Sequence, residues 1–137
     1  MKTYPYLRAY MAGITVPTIL LILFVSVFTV ARHTYNEALP IERLIIFPLA
    51  IVPNLWGIWN MAYLRLSRNR YMPIGFHGML LAFVQALAAF GLTKLMGIEI
   101  PSLVANAFPF VVPVVAIVFY LVWKHIVAFF NGVLGID

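Results

Sequence analysis

Four polar side chains inside long apolar runs are the residues of this sequence best placed to do chemistry. Asn54 is the central residue of its run, and Asn60 follows in the same run. His77 and Gln85 lie on one helical stripe of the next run. Consecutive membrane helices are antiparallel, so we expect these side chains to form a polar cluster between the second and third runs. Such a cluster either bonds helices together or marks the pathway of a polar substrate or proton.

Two histidines offer a second candidate site. His77 and His125 belong to different runs at similar depth, and two such imidazoles could hold a haem iron axially. No haem-attachment motif accompanies them, so the sequence predicts no cofactor. The chain has no cysteine, which removes thiolate metal sites, and no metal site is expected.

The loop RLSRNRYMP carries Arg65, Arg68 and Arg70. Cytoplasmic loops of membrane proteins generally carry such an excess of positive charge. Guanidinium groups also bind anionic lipid headgroups, often bidentately, so these three are candidate headgroup residues. The formal net charge of +5 does not indicate a nucleic-acid partner, because the basic residues fall in short loops.

Catalysis receives the least support from this sequence. No carboxylate falls inside an apolar run, and no HExxH, GxSxG or P-loop motif occurs. Hydroxyl groups of the first run are expected to bond to carbonyls of their own helix rather than act as nucleophiles: Thr15, Thr18, Ser26 and Thr29.

Composition assigns the chain to the membrane proteins. Of 137 residues, 64% are hydrophobic and 9% charged, and the mean hydropathy is +1.01. Soluble domains carry about one quarter charged residues. Four runs are long enough to cross a hydrocarbon core about 30 Å thick, and none alternates like a strand. We expect an all-α, single-domain bundle of four transmembrane helices in up-down order, with spans at about 9–31, 44–64, 74–96 and 104–123.

Positive charge predicts the orientation of this bundle. With a cytoplasmic N-terminus, six Lys and Arg residues fall inside and three outside, so both termini should be cytoplasmic. The expected location is the cell membrane, most simply a bacterial inner membrane. The inner residues are Lys2, Arg8, Arg65, Arg68, Arg70 and Lys124.

Prolines mark the predicted helices. Pro17, Pro53 and Pro113 should lie near mid-membrane and bend their helices, since each removes one helical hydrogen bond. The second and fourth runs begin FPLAIVP and FPFVVP, a faint repeat that would make the chain two helical hairpins.

Two expectations concern the large apolar side chains. The tryptophans are predicted to anchor the helices at the interface or to face lipid. The tail HIVAFFNGVLGID is predicted to lie along the membrane surface as an amphipathic segment, with these residues inward: Ile126, Phe129, Phe130 and Val133.

Three functions remain open. The first is a non-catalytic accessory, assembly or scaffold module, which contacts membrane lipids and binds either itself or a larger membrane complex. The second is a small oligomeric transporter or channel that uses the polar cluster. The third is a membrane protein that binds lipid headgroups or a cofactor.

Overall fold

The computed structural model describes residues 4–35, 51–66, 72–97 and 102–136. Within these ranges the chain is helical and contains no strand. Three helices are long and apolar enough to cross a membrane. The part of the predicted second span before residue 51 lies outside the described residues. The elements are α1 (Pro5–Tyr35), α2 (Val52–Leu66), α3 (Ile74–Leu95), α4 (Ser102–Val122), a π-helical turn (Trp123–Val127) and α5 (Ala128–Val133).

Helix α1 packs closely along α2 because both present glycine at the crossing. A Cβ atom added at Gly13 would lie 2.5 Å from the carbonyl oxygen of Trp56, and one added at Gly57 would lie 2.5 Å from the Tyr10 ring. Both separations are well inside van der Waals contact. Small residues are the usual means by which membrane helices approach so closely, because lipid supplies no hydrophobic drive between them.

Helices α3 and α4 form a second close pair of the same kind. A Cβ atom at Gly78 would lie 2.4 Å from Cγ of Trp123 and 2.6 Å from the carbonyl oxygen of Phe119. Each pair therefore places a glycine of its first helix against the backbone of its second. The two-hairpin arrangement and its origin by duplication both stay predictions.

The buried core occupies one end of the bundle. It is built from Val16 of α1, Trp56 of α2, Leu81 of α3, and Trp123 and Val127 of the π turn. Beyond the core the helices bury little surface against one another. No described side chain is buried in 18–34 of α1, 86–95 of α3 or 105–115 of α4. We call these three segments the open half.

The expectation for the tryptophans is wrong. Trp56 is 3% exposed and Trp123 is fully buried, and their ring centroids lie 5.6 Å apart. Trp59 is partly buried, and its indole N–H donates to the carbonyl of His77 at 2.9 Å. The physical reason is space: glycines at the crossings let the backbones approach, and flat indole rings fill the remaining volume between four helices.

The expectation for the tail is wrong at Ile126, Phe129 and Val133, which are exposed, whereas Phe130 is partly buried and packs against the core. The fourth helix does not end at Trp123 but continues through the π turn to Val133. Ile126 and Phe129 are exposed, whereas Val127 and Asn131 are buried. The inward residues are spaced by four, so this segment continues the packed face of α4 instead of presenting a new amphipathic face.

The hydroxyl groups of α1 behave as predicted. Each donates to a carbonyl four residues earlier in its own helix, at distances of 2.7 to 2.8 Å. Pro17 and Pro113 stand inside α1 and α4, and Pro53 is the second residue of α2. The bending expected at these prolines stays a prediction.

Candidate functional site

A pair of buried asparagines joins α2 to α5. The Asn60 amide donates to Oδ1 of Asn131 at 2.8 Å, and the Asn131 amide donates back to Oδ1 of Asn60 at 3.2 Å. The second N–H of Asn60 donates to the carbonyl of Ala9 in α1 at 2.7 Å. Both side chains are fully buried. We call this set, Asn60, Asn131 and the Ala9 carbonyl, the amide clamp.

The local sequence explains why the clamp can form. Ala9 and Ala12 present little side-chain volume, and Gly57 lies one turn before Asn60, so α1 comes close enough for Asn60 to reach its backbone. A carbonyl oxygen has two lone pairs, so Ala9 can accept from Asn60 while keeping its helical bond. Arg8, beside it, donates to the carbonyl of Leu134 at 3.3 Å. The clamp therefore ties three helical segments together at one end of the bundle.

The four residues predicted to form one cluster belong to different interfaces. Asn54 is exposed, and its Oδ1 accepts from the Tyr10 hydroxyl of α1 at 2.6 Å. Asn60 belongs to the clamp. His77 is buried with its ring edge-on to Tyr63 of α2, at 5.0 Å between centroids. The reason is that the face of α2 carrying Gly57 and Asn60 packs against α1, where Gly13 lies against Gly57.

Gln85 and two tryptophans carry the polar atoms that find no acceptor. Among the described residues, the buried side-chain N–H groups without a hydrogen-bond partner are Trp56 Nε1, Trp123 Nε1 and Gln85 Nε2. A buried donor left unpaired costs about 1–3 kcal/mol. These groups therefore call for an explanation that the clamp does not supply.

Asn131 is the residue of this region that sequence reasoning missed. The sequence pattern predicts that Asn131 lies in a tail at the membrane surface, where an asparagine is an ordinary polar residue. The available signal was its spacing, because Trp123, Val127 and Asn131 follow one another at intervals of four residues. That interval is typical of one buried helical face.

The remaining candidate ligands are separated in the structure. His125 is exposed, two residues after the buried Trp123, so its side chain leaves the helix on the side away from α3 and His77. Within the described ranges, no group of three metal-ligating side chains occurs. Arg65 is exposed at the end of α2, and Arg68 and Arg70 lie outside the described residues.

No protein-family model, curated protein or solved structure matches the chain. The hydrogen bonds of the clamp are made between helices of the bundle, so the clamp holds these helices together. The unpaired N–H groups can donate hydrogen bonds to something else.

Proposed function

We propose that this chain is a multi-pass protein of the cell membrane that acts as a non-catalytic accessory or assembly module. The observation that carries the proposal is a contrast between the two ends of the bundle. One end is locked by the amide clamp, and the open half presents apolar side chains to its surroundings. A bundle whose helices are hydrogen-bonded together at one end and expose apolar surface at the other is suited to binding another membrane component.

The exposure of α1 in the open half extends around the whole helix. Four consecutive residues, 22–25, are all exposed, and successive residues turn by about 100°. Such a surface can be covered only by lipid or by other membrane helices. We propose that helices of a partner, or of a second copy of the chain, cover part of it, while lipid covers the remainder.

The proposed orientation is an up-down bundle with both termini in the cytoplasm. Its support is the excess of Lys and Arg on that side, six against three. The hydrogen bond from Arg8 to the Leu134 carbonyl also supports it, because it joins the first helix to the last described turn. In this orientation Arg65 lies at the cytoplasmic face, where anionic headgroups are available to it.

Photo-crosslinking in the native membrane tests this proposal. A benzophenone amino acid replaces Leu23 or Phe110 of the open half, and Leu121 serves as an exposed control at the packed end. We expect a discrete protein adduct from positions 23 and 110, and only lipid adducts from position 121. An adduct of twice the chain mass identifies a second copy. Lipid adducts alone at all three positions, with a purified particle of one 15.5 kDa chain, would refute the proposal.

A further inference from the structure

Three buried N–H donors have no acceptor among the described residues. They are Nε1 of Trp56, Nε1 of Trp123 and Nε2 of Gln85, which we call the donor set. The three side chains are 3%, 0% and 8% exposed. Trp59 provides the contrast, because its indole N–H is paired with the His77 carbonyl. Burial alone therefore does not prevent an indole of this bundle from finding a partner.

The donor set lies within a short axial range. The indoles of Trp56 and Trp123 are in contact, and both belong to one core cluster with Leu81. Gln85 stands four residues after Leu81 on the same buried face of α3, which is about 6 Å along the helix. Three helices thus bring unpaired donors to neighbouring levels of one core.

The position of Gln85 indicates how a ligand would reach these donors. It is the last buried residue of α3, so it stands where the core meets the open half. The exposed helix surface beyond it is mostly apolar. A hydrated ion would lose its water shell on that route at high cost, whereas a lipophilic molecule is already dissolved there.

The chemistry of the donor set restricts the ligand further. An indole N–H can only donate, so the ligand must present acceptor atoms. Among the described residues no Asp, Glu, Lys or Arg side chain is buried, which favours a neutral acceptor over an anion. We propose that the donor set binds the carbonyl oxygens of a neutral lipophilic molecule that enters from the open half, its apolar part remaining among the helices there. This inference goes beyond the module function and does not depend on it.

Two sources supply that chemistry in membranes: the head of a quinone and the ester groups of an acylglycerol. Binding is tested on the full chain in nanodiscs of ether-linked phosphatidylcholine, a lipid without carbonyl groups. One arm adds decylubiquinone and the other adds dioctanoylglycerol. The observable is the indole N–H resonance of each tryptophan, assigned with single Trp→Phe variants.

We expect a saturable shift of the Trp56 and Trp123 resonances in one arm, with the Trp59 resonance unchanged, and the responding arm identifies the source. Gln85→Leu should weaken that binding about tenfold, as the loss of one hydrogen bond implies. Asn54→Leu, which removes an exposed amide, should leave it unchanged. No shift in either arm at saturating probe, or equal shifts of all three indoles, would overturn the proposal, and the first outcome would leave water as the partner of the donors. The preserved Trp59 resonance shows that each variant is folded.

Discussion

The amide clamp makes a quantitative prediction about stability. Asn60→Leu preserves side-chain size but removes the hydrogen bonds to Ala9 and Asn131. The lost bond to the Ala9 carbonyl contributes about 1 kcal/mol, as one interhelical hydrogen bond does, and the lost bonds to Asn131 are covered by the cost that follows. The substitution also leaves the buried amide of Asn131 unpaired, which costs about 1–3 kcal/mol. We therefore expect Asn60→Leu to lower the free energy of unfolding by about 2–4 kcal/mol.

The double variant distinguishes a pair from two independent residues. Asn60→Leu with Asn131→Leu leaves neither amide unpaired, and replacing both partners by apolar groups of equal shape is nearly neutral. The double variant should therefore be more stable than Asn60→Leu alone. Asn54→Leu is the matched control, since it removes an exposed amide that accepts from Tyr10, and it should cost about 1 kcal/mol or less.

The assay is reversible unfolding in bicelles, followed by circular dichroism for the wild-type chain, the two single variants, the double variant and the control. The coupling energy follows from the double-mutant cycle. If the losses of the two single variants simply add, the reasoning is refuted, because Asn60 and Asn131 then do not act on each other. An Asn60→Leu variant no less stable than Asn54→Leu would refute the burial argument as well.

Three further predictions concern packing and orientation. Gly78→Ala should lower the free energy of unfolding by about 1–3 kcal/mol, because its Cβ would meet Trp123, whereas Gly91→Ala, with no atom within 4 Å, should be neutral or stabilising in the same assay. Deleting the exposed Ile126 should convert the π turn to α-helix and keep Asn131 on its buried face, because the seven steps that then separate it from Trp123 turn the helix by about 700°, close to two full turns. The deletion variant should retain the clamp's coupling energy, and a lost coupling would contradict this. A reporter active only in the cytoplasm, fused to the C-terminus, should be active; an inactive but inserted fusion would show the opposite orientation.

The helices themselves could be predicted because they follow from a strong signal. The third apolar run was expected over 74–96 and is a helix from Ile74 to Leu95. An apolar run of this length has to satisfy its backbone hydrogen bonds internally when it lies in lipid, and the α-helix does so. The ends are less determined: the first helix extends from Pro5 to Tyr35, because polar residues can continue a helix into the interface.

The neighbours of each helix could not be predicted in the same way. The face of α2 that carries Gly57 and Asn60 contains small and polar residues, but the pattern of one helix does not indicate which other helix will cover that face. Gly13 allows α1 to pack against this face, because it lets the α1 backbone approach the Trp56 carbonyl. Asn60 then donates to the carbonyl of Ala9. For this reason Asn54 and Asn60 form side-chain hydrogen bonds with α1 and α5. The residues on the face of one helix do not identify the helix that packs against it, because close packing also depends on small residues in that other helix.

The π turn supplies the step that connects local geometry to the clamp. In an α-helix a four-residue interval turns by about 400°, so each step drifts about 40° around the helix. Residues Trp123, Val127 and Asn131 would then spiral away from the core. A π turn is wider, since its hydrogen bonds span five residues, and a four-residue interval there falls short of a full turn. The shortfall across Trp123–Val127 offsets the α-helical drift that follows, so the indole and the amide are buried on one face. Asn131 reaches Asn60 because the helix widens one turn before it.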